Sequence, residues 1–559
     1  MLTTLIAGAC RRAALRPRLD SGGGGCYSGT LDHRLGTREK GTLMKRISLC
    51  ICLGMAALVL LASTAPAAAQ ETPRMGGVLK VASIGEPPTL DIPMSTATLV
   101  YEIMWHVNES LTTYDKNFNP VPLLAESWTI GDKGLRYTIV LRKGVKFHNG
   151  KEMTAADVVP SLRRWGRVAS IGRVLWKYVE SVDATDPYTV VISMKQPSSS
   201  LIYGLSEPAA AIYPKESIEA AGEGQLKEFI GTGPFRFVEH RPDRHIKLAR
   251  FKDYSARSEP PNGFGGKRTA YFDEILFLTV PETAVRLAGV ETGEYHHAMF
   301  VKQDLYERIK SLPALESRIV KPRGWAVAVM NHKSPLMSQK KIRQAFQAAL
   351  DMEPILVAGF GSREFYRLDP GVFFPEQPWH STANAKLYNQ KDKDKARRLL
   401  KEAGYAGQPV RWVTTREYEF MYKNALVAKQ QLEEVGFTVD FQVVDWATLN
   451  NRTEKPELWE TFSTGFVFSA DPANHVALRC TFNGWWCNEE KERLLAELQG
   501  ENDLKKRKAI IDRIQTVFYE DVGHVKLGDY FTLDAARREL RGDFRTAPRM
   551  YFWNSWLAK

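Results

Sequence analysis

The sequence predicts an α/β fold with more than one domain, and three observations support this prediction. The chain has 559 residues, which is too long for one hydrophobic core and suits two or three domains. Residues 135–141 place apolar side chains on alternate positions, as a half-buried strand does. Beyond about residue 335, amphipathic helix patterns alternate with short strand patterns, an order typical of α/β proteins.

The elements before residue 335 are predicted mainly as strands. Residues 77–82 form the first strand, and the prolines of the loop at 84–91 exclude a helix there. Residues 111–231 are expected to mix short strands and turns. Within them, Thr154 is predicted to cap an amphipathic helix, with Asp157 three residues further on. A hairpin is then expected, pairing residues 235–239 with 245–250.

The later elements are predicted mainly from apolar stripes at helical spacing. Ser338 is expected to cap a helix whose apolar stripe ends near Leu350. Two further helices are expected to stop at Gly404 and Gly436, because glycine ends helices readily. Asn488 is predicted to cap another. The remaining predicted elements are a helix at 503–519 and strands at 410–414 and 438–444.

An export signal is predicted at residues 45–70. Lys45 and Arg46 precede an apolar run, and small residues ending at Ala69 fit a cleavage site. The apolar run is shorter than the roughly 20 residues of a membrane-spanning helix. Because a signal normally begins the chain, we expect translation to start at Met44; a disordered extension at residues 1–43 is the alternative. The protein is therefore expected in the periplasm, after cleavage of the signal.

The charge balance after cleavage gives little indication of a partner. The full chain carries +12, and the part after Ala69 keeps 67 Lys and Arg against 61 Asp and Glu, or about +6. An exported protein meets little nucleic acid, so we expect no such partner.

Two cysteines, Cys480 and Cys487, remain after cleavage. An oxidising compartment favours a disulfide between them. Two thiols without neighbouring Cys or His at zinc spacing make a poor metal site, and no metal or cofactor is predicted.

The segment around the strand at 135–141 also carries a family resemblance. Residues 124–165, read as LAESWTIGDKGLRYTIVLRKGVKFHNGKEMTAADVVPSLRRW, resemble the signature of the family 5 extracellular solute-binding proteins. These are receptors of bacterial ABC importers for peptides, nickel chelates and opines. Further segments resemble the family in the same order: SQKKIRQAFQAALDMEPIL, PGVFFPEQPWH, KARRLLKEAGY and LEEVGFTV.

The resemblance implies a two-lobed periplasmic binding protein of type II. Lobe 1 is expected to comprise residues 70–110, 232–325 and 525–559, with an extra α/β domain inserted at 111–231. Lobe 2 is expected at 326–524, and residues 325–331 are expected to form one hinge strand. A monomer is expected to deliver its ligand to an inner-membrane ABC permease.

The resemblance also implies three ligand-binding positions in lobe 2. Arg416 and Tyr418 resemble an Arg-any-Tyr element that peptide-binding relatives use on the ligand's carboxylate and backbone, and a guanidinium suits a carboxylate. Trp446 resembles an aromatic residue of their side-chain pocket. A surface ion pair for Arg416 and core packing for Trp446 are the structural alternatives.

Phe468 departs from the family pattern. Dipeptide-binding relatives place an Asp a few residues before an Asp-Pro to hold the ligand's ammonium, and here Phe468 precedes Asp471-Pro472. A buried ammonium without a partner is costly. A blocked peptide, an opine-like acid or another anionic or apolar solute is therefore as plausible as a free-amine peptide.

Glu86 and Trp325 are weaker ligand-binding candidates in lobe 1. Both occupy loop or hinge positions that can face a cleft. Their structural alternatives are a turn carboxylate and a buried ring.

Two rivals to a peptide receptor remain. The first is a receptor for a nickel chelate, an opine or a sugar within the same family. The second is a periplasmic hydrolase, although the sequence holds neither a Gly-X-Ser-X-Gly nor a His-Glu-X-X-His motif. The histidine pairs His240/His245 and His296/His297 are expected to be solvent-exposed rather than metal ligands.

Overall fold

A computed structural model of the protein describes residues 72–542 and 549–558. The predicted export signal at 45–70 and the stretch before it lie outside the described residues. No helix in the described ranges has the length and apolar character needed to cross a bilayer.

The described strands are short except for two. They are β1 (Val78–Ser83), β2 (Thr112–Tyr114), β3 (Pro120–Pro122), β4 (Ala125–Gly131), β5 (Arg136–Leu141), β6 (Val179–Asp186), β7 (Thr189–Met194), β8 (Phe235–Arg241), β9 (His245–Arg250), β10 (Glu274–Thr279), β11 (His297–Val301), β12 (Leu315–Met330), β13 (Tyr366–Arg367), β14 (Pro409–Thr414), β15 (Thr438–Val443), β16 (Thr461–Val467), β17 (Val525–Arg537), β18 (Leu540–Gly542) and β19 (Ser555–Leu557).

The described helices are spread along the chain between these strands. They are α1 (Thr98–Met104), α2 (Ala155–Val168), α3 (Ser170–Trp176), α4 (Ser200–Ser206), α5 (Lys215–Ala221), α6 (Thr283–Thr292), α7 (Tyr306–Ser311), α8 (Lys340–Ala349), α9 (Met352–Phe360), α10 (Lys393–Glu402), α11 (Glu419–Glu433), α12 (Trp446–Thr453), α13 (Glu489–Gly500) and α14 (Leu504–Asp521).

An 11-stranded mixed sheet connects the two halves of the fold. Its strand order is β15-β14-β16-β12-β17-β11-β1-β10-β9-β8, with β13 added beside β17. The long strands β12 and β17 lie in the middle and pair antiparallel along most of their length. One half of β12 also pairs with β16, whereas the far end of β17 pairs with β11. This mixed α/β architecture, with two lobes joined by central strands, confirms the predicted fold class.

A separate four-stranded sheet, in the order β4-β5-β7-β6, lies within residues 111–231. The predicted strand at 135–141 is confirmed as β5, with Tyr137, Ile139 and Leu141 buried. The segment was predicted to mix short strands and turns around the Thr154 helix, and three further helices within it were not predicted. They are α3, α4 and α5, whose lengths of 7 residues are too short to give a clear periodic signal. The predicted domain boundaries remain a prediction.

Helix starts agree with the sequence where a side chain caps the backbone. Thr154 and Asp157 form a capping box at the start of α2, and the Asn488 side chain accepts a hydrogen bond from the Lys491 N–H at the start of α13. The prediction that Ser338 caps α8 is wrong, because the N-cap is Gln339 and its side chain makes no capping bond. The Ser338 hydroxyl donates instead to the Pro335 carbonyl.

The Cα atoms of Cys480 and Cys487 lie 4.7 Å apart. This separation falls within the range that a disulfide requires. The segment between the two cysteines contains Trp486, whose side chain is buried.

Candidate functional site

The described residues line a cavity of about 190 Å³ beside the two central strands. Helix α1, β11 and the short segment at 549–550 each contribute to its lining. The lining residues are Glu102, His297, Phe300, Glu316, Ser317, Arg318, Ile319, Val320, Arg323, Thr532, Asp534, Arg549 and Met550. Because these residues come from five separate stretches of chain, only the folded sheet brings them together.

Three arginines, Arg318, Arg323 and Arg549, line this cavity, and aromatic rings contact two of them. Arg323, on β12, lies over the Phe300 ring at 5.1 Å and donates to the Thr98 hydroxyl at 3.2 Å. Arg549 lies over the Tyr101 ring at 4.3 Å and donates to a Glu207 carboxylate oxygen at 3.3 Å. The aromatic rings hold both planar groups in place by cation–π attraction, and such groups are suited to bind carboxylates.

Two buried carboxyl groups face the same cavity. Burial raises the pKa of Glu102 to about 8, against the lowering effect of Arg323 and Arg549. Burial also raises the pKa of Asp534 to about 6, although the Phe300 N–H donates to this carboxyl at 2.8 Å. At neutral pH, Glu102 therefore holds its proton for most of the time, whereas Asp534 is mostly ionised.

The expectation of solvent-exposed histidines is wrong for His297. This side chain is 1% exposed, and its Nε2 lies 3.5 Å from Asp534 Oδ2. Burial lowers the pKa of His297 well below its usual value, so the ring is neutral. His296 and His297 point to opposite faces, as neighbouring residues of a strand must. His297 is on the inner face and forms part of the cavity wall.

The other three histidines are half-buried in hydrogen-bonded contacts. His296 Nδ1 accepts from the Lys80 N–H at 2.9 Å. His245 contacts Glu239 at 3.0 Å, and His240 contacts Glu86. Over the described residues, no group of three or more His, Cys, Asp or Glu side chains is arranged to hold a metal ion.

Tyr418 and Trp446 come together in an edge-to-face contact, with ring centroids 4.9 Å apart. Tyr418 keeps 45% of its surface exposed. Arg416 is exposed too, and its guanidinium lies over the Tyr422 ring at 4.5 Å. This trio lines no part of the 190 Å³ cavity. Burial raises the pKa of Tyr530; Arg323 of the cavity opposes this shift, and Tyr418 adds to it.

Phe468 lies beside β12 and does not line the 190 Å³ cavity. Its N–H donates to the Arg323 carbonyl at 3.0 Å, so β12 fixes its position. Its ring contacts Phe118 at 4.5 Å and Phe374 at 6.0 Å. Phe118 belongs to the segment at 111–231 and Phe374 to the segment at 326–524. The Phe118–Phe468 contact therefore joins two segments that are far apart in the sequence.

Glu86 and Trp325 occupy structural positions. Glu86 contacts His240, accepts from the Asp243 N–H at 3.1 Å and thereby supports the β8–β9 turn. Trp325 is fully buried, with its ring stacked on His475 at 5.9 Å. Neither residue lines the cavity.

Sequence reasoning missed the cavity residues Glu102, Arg323, Asp534 and Arg549. For Glu102 a signal was available, since this carboxylate interrupts the apolar run of α1, TLVYEIM. An acidic residue on a helix buried on all sides needs a partner or a function. The others carry no local signal, because strands and loops bring them from distant parts of the chain.

Comparison with known proteins shows which sequences share this architecture. The pattern of the bacterial extracellular solute-binding proteins, family 5 (middle region), matches residues 119–482. The probable peptide ABC transporter periplasmic-binding protein y4tO of Sinorhizobium fredii is 28% identical over 517 residues, covering 89% of this chain and 95% of that protein.

Solved structures give the same fold. The oligopeptide-binding protein AppA of Bacillus subtilis, in complex with a nonapeptide, is 25% identical with a TM-score of 0.70 and covers 87% of this chain and 100% of its own. AgaA of A. tumefaciens R10, in complex with agropinic acid, is 21% identical with a TM-score of 0.69 and covers 86% and 99%. The AgaA likeness supports the fold alone.

Proposed function

The chain belongs to the bacterial extracellular solute-binding proteins of family 5, and on this premise we propose that its cavity binds one small solute bearing a carboxylate. In this role it serves as the periplasmic receptor of an ABC importer. It captures the solute between its lobes and delivers it unchanged to the membrane permease.

One observation carries the proposal: Arg323 and Arg549 line the same cavity. Guanidiniums bind carboxylates through paired, charge-assisted hydrogen bonds, and a low-dielectric surrounding strengthens them. A volume of about 190 Å³ lies below the roughly 300–1,000 Å³ of typical small-molecule pockets. It favours a small solute over a long peptide.

The central strands suit a receptor that closes on its ligand. Hinge motion between two lobes needs a few connecting strands, and β12 and β17 pair with strands of both halves. A ligand favours closure only as far as it binds the closed form better. We propose that the Phe118–Phe468 contact, with ring centroids 4.5 Å apart, belongs to the closed form. We propose that the permease recognises this closed form.

The second wall of the site is proposed to come from Tyr418, Trp446 and Phe468. The edge-to-face contact of Tyr418 with Trp446 leaves part of both rings accessible to a ligand. Arg416 is kept as a candidate for a ligand carboxylate at this wall. Glu86 and Trp325 are not kept, because hydrogen bonds and core packing already account for both.

A short peptide is the first candidate ligand, because y4tO and AppA are named as peptide-binding proteins. An opine-like acid is the second, because the small cavity and the apolar side chain of Phe468 suit it. A nickel chelate and a sugar are tested separately, by isothermal titration with nickel plus histidine and with sugars. A measurable heat of binding at a micromolar concentration of the added ligand would favour that ligand class.

Maturation completes the proposal. We propose that a signal peptide is cleaved after Ala69, that Cys480 and Cys487 form a disulfide, and that the protein acts as a monomer without catalysis. N-terminal sequencing, thiol titration and light scattering test the first three points. Recovery of a solute with unchanged mass tests the fourth.

The test of the site is mass spectrometry of what the purified protein releases, followed by titration of that recovered solute into wild type and Arg323→Gln. Removing one partner of a buried charge pair costs about 2–5 kcal/mol, so Arg323→Gln is expected to weaken binding at least 30-fold. An unchanged affinity, or conversion of the solute into a product, would contradict the proposal.

Arg416→Gln is the matched variant at the second wall, because it removes the same charge from an exposed position. If Arg416→Gln loses affinity and Arg323→Gln does not, the carboxylate of the solute binds at the Tyr418–Trp446 wall and not in the cavity. Unchanged affinity removes Arg416 from the site.

A further inference from the structure

A buried polar contact joins two segments that are far apart in the sequence. The first segment leads from β7 into α4 and contains Ser198, Ser199 and Ser200, none of which is more than 6% exposed. The second is the end of α13, at Leu498 and Gln499. Strand β7 belongs to the four-stranded sheet, whereas α13 follows β16 of the 11-stranded sheet. The contact therefore connects parts of the fold that are built around different sheets.

The two segments satisfy each other's polar groups. The Ser199 N–H donates to the Gln499 carbonyl at 2.8 Å, and the Ser199 hydroxyl donates to the Leu498 carbonyl at 3.1 Å. The Gln499 side chain accepts from the Ser200 hydroxyl at 3.0 Å and donates to the Ser198 hydroxyl at 2.6 Å. All four hydrogen bonds use protein groups alone, so they require no solute.

Arg507 of α14 extends this contact. Its Nη1 donates to the Ser199 hydroxyl and, at 3.0 Å, to the Leu498 carbonyl. Its guanidinium lies over the Tyr203 ring at 5.6 Å and over the Trp379 ring at 5.1 Å. Tyr203 lies on α4, on the same side of the contact as the serines, and Trp379 comes from the segment at 326–524. Arg507 therefore contacts residues on both sides.

The polar character of this contact favours reversible opening. Contacts between the domains of one chain are more polar than permanent interfaces, and separated hydroxyl and amide groups regain hydrogen bonds with water. Arg507 Nε and Nη2 have no hydrogen-bond partner in the described part of the chain, and Asp471 Oδ1 lies 3.6 Å from Nη2. Burying these N–H groups costs free energy, which limits the strength of the contact.

We propose that this contact is a latch between the two lobes, which keeps part of the solute-free protein closed. The latch residues are Ser198, Ser199, Ser200, Gln499 and Arg507. The inference rests on the proposed function and on the predicted assignment of residues 111–231 and 326–524 to opposite lobes. The latch lowers the free energy that the solute must supply to close the protein. It therefore raises the affinity for the solute and slows its release.

Gln499→Ala tests the latch, because it removes both side-chain bonds to the serines and keeps the backbone bond to Ser199. Gln430→Ala is the matched control, since it removes the same side chain from an exposed position of α11. Each protein is freed of solute in guanidinium chloride and refolded, and small-angle X-ray scattering gives its radius of gyration. We expect a larger radius for solute-free Gln499→Ala than for wild type and the control. Equal radii for the three solute-free proteins would overturn the inference.

The release of solute gives a second readout. The solute recovered from the wild-type protein is bound to each variant, and its loss on dilution is followed by mass spectrometry. Loss of two buried hydrogen bonds should shift the equilibrium towards the open form about tenfold. Release from Gln499→Ala should therefore be about tenfold faster than from wild type and Gln430→Ala. Equal release rates would overturn the inference.

A cross-link tests the same contact without weakening it. In the double variant Ser200→Cys with Gln499→Cys, oxidation should join the two segments in the solute-free protein. Uptake of the recovered solute should then fall about tenfold until a reductant is added, and Gln499→Cys alone controls for the effect of the reductant. Failure to cross-link, or unchanged uptake by the cross-linked protein, would overturn the inference.

The scattering comparison of solute-free proteins does not depend on which solute is bound. Release of no solute at all from the wild-type protein, with no thermal stabilisation by dipeptides or opines, would contradict the proposed function itself. The two failures are therefore distinguishable.

Discussion

Replacing Glu102 by Gln is expected to stabilise the empty protein in a pH-dependent way. The pKa of this carboxyl rises from its ordinary value of 4.5 to about 8 on burial. A folded protein with a raised acid pKa binds more protons than the unfolded chain. The stability contributed by Glu102 is therefore complete below pH 4.5 and is lost as the pH rises towards 8. Gln cannot ionise, and its amide oxygen can still accept from the Met550 N–H.

The size of the effect follows from the same pKa difference. Each pKa unit corresponds to about 1.36 kcal/mol. The wild-type protein therefore loses about 3 kcal/mol between pH 4.5 and pH 7, and about 5 kcal/mol by pH 8 and above. Glu102→Gln should avoid both losses.

Urea unfolding of the ligand-free proteins at pH 5, 7 and 8.5, followed by circular dichroism, measures this difference. The gap between Glu102→Gln and wild type should widen from under 1 kcal/mol to several kcal/mol across the series. Glu109→Gln is the matched control. Both carboxyl oxygens of this buried residue accept hydrogen bonds, from Arg268 and Tyr254 and from Thr232, so its replacement should destabilise the fold. A constant gap for Glu102→Gln across the three pH values would refute the reasoning.

Two further predictions concern stability. Replacing Cys480 and Cys487 by Ser should lower the free energy of unfolding by about 2–3 kcal/mol, because the loop between two cysteines 7 positions apart no longer restricts the unfolded chain. An equal unfolding midpoint under oxidising and reducing conditions would argue against the disulfide. Asp91→Asn should cost about 3–5 kcal/mol, because it leaves Arg164 buried without its charge partner at 2.6 Å. The double variant Asp91→Leu with Arg164→Met should recover much of that loss, and a double variant as unstable as the sum of its single changes would contradict a coupled pair.

Local elements were predictable from the sequence where one segment carries its own signal. Strand β5 has alternating apolar residues, and the capping box of Thr154 with Asp157 needs only four neighbouring positions. Gly404 and Gly436 end helices at positive φ values of 67° and 106°, a conformation that glycine adopts at little cost. The hairpin of β8 and β9 was similarly defined by its turn.

The candidate site was less predictable because it is assembled over long distances in sequence. Glu102 and Arg549 face one cavity although more than 400 positions separate them. Nothing near Arg323 or Asp534 marks either residue as functional. His297 was expected at the surface but is buried. Neither its residue type nor its neighbours in the sequence reveal which face of β11 is buried. The family resemblance directed attention to Arg416, Tyr418 and Trp446, whose binding role stays a prediction.

A crystal structure of the protein with the solute that it retains through purification tests the central claim most directly. We predict one chemically intact solute between the lobes, with its carboxylate within hydrogen-bond distance of Arg323 or Arg549. A solute bound elsewhere on the molecule, or a cavity that stays empty at saturating solute, would contradict the account.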